Sequence, residues 1–61
     1  VGAMEKRFTV TNNATGRAYT VYGHEWNTLE SVWLNQKYWF MTGSSVTIAD
    51  ENGNSQIFVR E

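Results

Sequence analysis

The stretch Trp26-Asn-Thr-Leu-Glu-Ser-Val-Trp-Leu-Asn-Gln-Lys-Tyr-Trp-Phe-Met41 decides how this chain folds. It holds all three tryptophans of the 61 residues. It also holds the only segment whose apolar residues recur at helical spacing. Leu29, Val32 and Trp33 fall at i, i+3 and i+4, which predicts one apolar stripe on a helix of two to three turns. Asn27 and Glu30 have capping-box spacing, so the helix is expected to start at Asn27, with Trp26 folded over its first turn. A helix this short is marginal in water and requires a surface to pack on.

After Asn35 and Gln36 the period changes. Lys37-Tyr38-Trp39-Phe40-Met41-Thr42 has the aromatic density of a strand, ended by Gly43-Ser44-Ser45. Side chains alternate across a strand, so four consecutive large apolar residues cannot all face one core. Either both faces of such a strand are covered or two of the four side chains lie on the surface.

The flanking sequence reads as strands and turns. Arg7–Thr11 alternates, with Phe8 and Val10 on one face. Asn12–Gly16 is a turn, and Arg17–Tyr22 resumes the strand pattern, with either Tyr19 and Val21 or Ala18, Thr20 and Tyr22 inward. Gly23 ends the run. Val46–Ala49 is a short strand, and Asp50-Glu51-Asn52-Gly53-Asn54 is a turn in which Asn-Gly suits the left-handed positions of a tight hairpin. Gln56–Arg60 closes the chain with Ile57 and Val59 on one face and Phe58 with Arg60 on the other. The expected order is β-β-α-β-β-β: a small α+β domain in which an antiparallel sheet of about five short strands packs against one short helix.

Length and composition narrow the function. A domain of this size buries only about 60% of its unfolded surface. There is no cysteine, hence no disulfide and no thiolate metal site. The nine aromatic rings (three Trp, three Tyr, three Phe) compensate by removing large areas from water. Five Lys and Arg against six Asp and Glu leave a formal charge of −1, a thin footprint for a protein held on phosphates. No run reaches the length of a membrane span and no signal segment opens the chain, so no membrane contact and a cytoplasmic location are expected. Val1-Gly2-Ala3 reads as a tag remnant ahead of a start at Met4, leaving 4–61 as one domain.

No constellation carries chemistry. His24 beside Glu25 lacks a candidate nucleophile and reads as structural or simply exposed. Asp50–Asn54 places Gly53 fourth, where a calcium-binding EF-hand loop has glycine sixth, so it reads as a turn rather than a metal site. Asn13-Ala14-Thr15 matches a glycosylation sequon that occurs often by chance. Glu25 and Glu30 are five residues apart and do not form a paired-carboxylate site. The expectation is therefore a protein without enzymatic activity, metal or cofactor.

Binding remains. Trp, Tyr and Met are enriched at protein–protein hot spots, and this chain has more of them than a small core needs. The reading is a protein-interaction module, itself a homodimer, whose contact residues are Trp26, Tyr38, Trp39 and Phe58 with Glu25 and Glu30 at the rim. Asp50 and Glu51 are further rim acids. Its size, aromatic richness and lack of catalytic residues are compatible with the small accessory proteins encoded by phages and mobile elements, some of which inhibit or redirect a host enzyme. Two alternatives stand beside it. One is a single-stranded nucleic-acid binder that stacks bases on Tyr19, Tyr22, Tyr38, Trp39 and Phe58 among Arg7, Arg17, Lys37 and Arg60. The other is a structural protein that acts only by homodimerising.

Overall fold

The computed structural model describes residues 5–24 and 27–61. Its elements are β1 (Glu5–Asn12), β2 (Ala18–His24), α1 (Leu29–Gln36), a single 3₁₀ turn (Lys37–Trp39), β3 (Ser45–Asp50) and β4 (Ser55–Val59). The strands form one antiparallel sheet in the order β2-β1-β3-β4. The domain is thus α+β, a small antiparallel sheet with one short helix, as the alternation and the helical stripe imply. The sheet has four strands where about five were expected.

Register shows which side chains meet. Phe8 pairs with Val21, and Val10 pairs with Tyr19 on one side and Ile48 on the other. Val46 pairs with Phe58. These residues share the face that α1 covers. Phe8, Val10, Val46 and Ile48 are fully buried there, joined by Val32 and Trp33 from the helix. Val21, Leu29, Phe40 and Phe58 pack around them. Of the two faces open to β2, Tyr19 and Val21 turn toward the helix. Among the described residues the opposite face of the sheet carries no second layer; Thr9, Thr20, Ile57 and Val59 are exposed on it.

Trp33 joins the layers. Its ring stacks on Phe58 at 5.3 Å and 13°, and lies 6.0 Å from the tilted ring of Phe40. One residue therefore ties α1 to β4 and to the chain leaving the helix.

The helix begins one residue later than its sequence suggests. Thr28 is the N-cap: its hydroxyl accepts from the Ser31 amide at 3.2 Å, and Ser31 Oγ accepts from the Thr28 amide at 2.9 Å. Asn27 and Glu30 do not form this box. Instead the Asn27 side-chain oxygen accepts from the His24 amide at 2.7 Å, bracing the junction between β2 and α1. Gly23 makes that possible, since a Cβ there would stand 2.7 Å from Asn27 Oδ1 and 3.2 Å from the Phe8 ring. The expected placement of Trp26 over the first turn falls outside the described residues.

Residues 38–42 are not a strand. The helix tightens into the 3₁₀ turn, and the Phe40 amide donates to the Lys37 carbonyl at 3.1 Å. Phe40 then turns extended and inward. The chain has eight residues, 37–44, in which to descend from the helix layer to the start of β3. A tight turn followed by a bend covers that drop, and apart from Thr42 no β-branched residue resists it.

The β3–β4 turn also differs in detail. Only Gly53 takes a positive φ (91°), while Asn52 does not. Asp50 N–H donates to the Asn54 carbonyl at 2.8 Å, enclosing a three-residue loop with Gly53 in the left-handed position. The Asp50 carboxylate accepts from the amides of Asn52 and Asn54, both at 2.9 Å, and from the Asn54 side chain at 3.1 Å. Lys6 adds an ion pair at 3.5 Å. These bonds, the Asn54 side chain foremost, hold the Asp50 carboxyl below its usual titration range against some desolvation.

Two predictions test this frame. Trp33→Ala removes about 3–5 kcal/mol, comparable with the whole stability of about 3–9 kcal/mol expected for a chain this short. Urea melts should find the variant largely unfolded, and a fully folded variant would contradict the stack as the anchor. Asp50 titrates lower in the folded state, so its contribution is full above the ordinary carboxylate value near ~3.9 and is lost as pH falls through the folded value. Asp50→Asn should flatten the fall in stability below about pH 4. An unchanged slope would show that the turn network carries no pH dependence.

Candidate functional site

Among the described residues, the segment leaving α1 presents the most exposed large apolar side chains. Phe40 points into the core, so its neighbours point away from it: Tyr38, Trp39 and Met41 are 71%, 80% and 81% exposed. Leu34, one position past the buried stripe on the helix, is 52% exposed. Met41 and Leu34 are additions that the sequence pattern did not single out. Leu34 follows Trp33 directly, about 100° further round the helix, which takes it off the core face.

Tyr38 stands between two cations. Lys37 Nζ is 5.2 Å and the Arg60 guanidinium carbon 5.5 Å from its ring centre. Such contacts at an exposed site are worth about 0.5–1 kcal/mol each and orient the ring. Arg60 reaches this position because it lies on the helix-facing side of the sheet, one residue beyond β4. Its NH1 group donates to the Glu61 carbonyl, while its Nε is closed off from solvent and has no acceptor.

Beside this cluster, a groove of about 460 Å³ runs between α1 and β4, lined among others by Glu30, Trp33, Leu34, Ile57, Phe58 and Arg60. The helix and strand run the same way along it. Glu30 lies by Gln56 at one end, and Lys37 and Tyr38 lie by Arg60 at the other.

The residues expected to form the contact surface divide as follows. Tyr38 and Trp39 are exposed together, and Glu30 is exposed at the far end of the groove. Phe58 is half-buried, with its ring stacked on Trp33, so most of it is core. Glu25 and Trp26 fall outside the described residues. Neither remaining rim acid reaches the aromatics. Asp50 holds its own turn, and Glu51 accepts from the Arg7 amide at 2.9 Å with the Arg7 guanidinium 3.6 Å away.

The side chains of the stacking alternative do not share a surface. Tyr22 lies on the open face and pairs with Arg7, whereas Tyr19 and Phe58 lie on the helix side. The Tyr19 hydroxyl donates to Gln36 Oε1 at 2.8 Å, and burial pushes its pKa up. Arg17 is exposed at the β1–β2 turn, away from the Tyr38 ring that Lys37 and Arg60 adjoin.

One sequence motif is absorbed by the fold. The sequon residue Asn13 donates to Ser45 Oγ and accepts from Thr47 Oγ1, both at 3.0 Å, tying the β1–β2 turn to β3. Among the described residues, no group of three or more His, Cys, Asp or Glu is placed to hold a metal ion. No described helix is long and apolar enough to cross a membrane.

If Tyr38 and Trp39 are surface residues, truncating them leaves the fold alone. Tyr38→Ala and Trp39→Ala should each change unfolding free energy by no more than about 0.5–1 kcal/mol, in contrast to Trp33→Ala. A loss of several kcal/mol in a denaturant melt would return these rings to the core. No protein-family model, curated protein or solved structure matches this chain.

Proposed function

We propose that this chain is a non-enzymatic protein-interaction module acting in the cytoplasm, with Tyr38, Trp39 and Met41 as the side chains buried against its partner. One observation carries the reading: three large apolar side chains in a four-residue segment are 71–81% exposed, on backbone held by a 3₁₀ turn and by the inward anchor Phe40. Exposed Trp, Tyr and Met on a rigid support are the side chains that contribute most when desolvated at an interface, and pre-ordering lowers the entropy lost on binding. Lys37 and Arg60 give the patch a positive margin, so the surface that fits it is apolar at the centre with acidic groups at its rim.

A partner bound this way is inhibited, redirected or assembled according to which of its own surfaces is covered, the manner in which phage accessory proteins act on host proteins. The nucleic-acid alternative is weaker. It has the Tyr38–Lys37–Arg60 group with Trp39 beside it, but Tyr22 lies on the open face of the sheet and Tyr19 and Phe58 on the helix side.

The test is a photo-crosslinking residue at Trp39 and, separately, at Thr20 on the open face, each introduced into host lysate. The proposal expects a discrete protein adduct from position 39 only, competed by unlabelled wild type and not by a Tyr38→Ala/Met41→Ala variant. Equal adducts from both positions, or competition by the variant, would sink it. A nucleic-acid adduct at position 39 that weakens steeply with salt would transfer the surface to the alternative.

A further inference from the structure

The sheet has two free edges, β2 and β4, and they differ. The Arg60 amide donates to the Ser44 carbonyl at 2.9 Å, and the Asp50 amide donates to the Asn54 carbonyl at 2.8 Å. In an antiparallel ladder these bonds fix the alternation: residues 56, 58 and 60 direct their backbone groups toward β3, and Ser55, Ile57 and Val59 direct theirs outward. The same reasoning on β2, from the Asn12 amide to the Arg17 carbonyl at 2.8 Å, turns 18, 20, 22 and 24 outward. There the His24 amide already donates to Asn27 Oδ1. The β2 edge is closed at one end, and the β4 edge has no such cover among the described residues.

β4 is also apolar on both sides of its open edge. Ile57 and Val59 are 65% and 56% exposed on the uncovered face of the sheet. On the helix side the groove exposes Leu34 and a margin of Phe58. A free edge of this kind is a template for another strand, and it carries neither proline nor lysine to prevent pairing.

The charges specify which strand. Along the groove Glu30 stands at one end; Lys37 and Arg60 stand at the other, against the single carboxylate side chain of Glu61. Glu30 is exposed and makes no ion pair among the described residues. A two-fold axis perpendicular to the sheet reverses the groove, bringing the acidic end of one copy to the basic end of the other. We infer that the β4 edge is a homodimer interface, in which two copies pair antiparallel about Ile57 into one continuous sheet.

In that register Ile57 meets the second copy's Ile57, and Ser55 meets the second copy's Val59. All three outward residues enter the ladder. Both helices lie on the same face, antiparallel across the junction, with Leu34 of each turned toward the other. The second copy's Glu30 comes to Lys37 and to the Arg60 guanidinium. Trp39 plays no part; the aromatic patch adjoins this interface along Lys37 and Arg60, which border both.

The experiment is solution mass by sedimentation equilibrium over a dilution series, with circular dichroism of each variant as the check on folding. The wild type should reach twice the 7.0 kDa protomer. Ile57→Pro should be monomeric yet folded, because the outward amide it removes bonds nothing within the protomer. Glu30→Lys should weaken the dimer about tenfold or more, and adding Lys37→Glu should recover most of that loss. Trp39→Ala should leave the mass unchanged. Wild type that stays monomeric to millimolar concentration overturns the inference. So does a dimer that a folded Ile57→Pro leaves intact. If Ile57→Pro fails to fold, the charge pair decides: no weakening by Glu30→Lys, or no recovery in the double variant, overturns it as well.

Discussion

The stack of Trp33 on Phe58 is the contact on which the other features of this domain depend. A single sheet with one uncovered face has to bury its apolar side under a helix of only eight residues, too short to persist without tertiary contacts. Val32 and Leu29 supply some of that contact. Trp33 supplies the largest single area, and its ring reaches a strand at the sheet's edge rather than its centre. The helix is therefore held over the β3–β4 half of the sheet.

That placement generates the functional surfaces. Because α1 leans toward an edge strand, a groove opens between them, walled by Leu34 and Phe58 and carrying opposite charge at its two ends. Because the helix ends near the exit of β4, Arg60 comes under the ring of Tyr38. Because Phe40 must also close on Trp33, the residues beside it turn outward, and Tyr38, Trp39 and Met41 have no core to enter. The exposed rings are a consequence of how the helix is anchored and how short its connection to β3 is.

Much of the fold can be read from the residues alone. The alternation of Phe8 with Val10 and of Val46 with Ile48 gives the sheet's buried face, and the spacing of Leu29, Val32 and Trp33 gives the helix. What misled was local density of aromatics. Residues 38–41 look like a strand because strands favour such side chains, yet the chain there has too few residues to do anything but turn. The cap moved for a similar reason: Asn27 has capping chemistry, but Gly23 brings its amide oxygen to the His24 amide, and Thr28 with Ser31 takes the helix. In the turn after β3, Asn52-Gly53 suggested left-handed residues at both positions, while Gly53 alone is left-handed and Asp50 accepts three hydrogen bonds that hold the loop. Of the candidate site, Tyr38 and Trp39 were legible as surplus. Phe58 was not, since which face of β4 meets the helix depends on pairing across the whole sheet. The groove and its charge polarity were invisible in the sequence, because Glu30, Lys37 and Arg60 come together only through the direction in which α1 crosses β4.

The most direct measurement on this account is residue-resolved amide hydrogen exchange along β4 at low and at high protein concentration. At low concentration Gln56, Phe58 and Arg60 should be protected while Ser55, Ile57 and Val59 exchange freely. At high concentration all six should be slow. Absence of the alternation at low concentration would contradict the placement of β4 at the sheet's edge. An alternation that persists unchanged at high concentration would contradict the pairing of two copies through it.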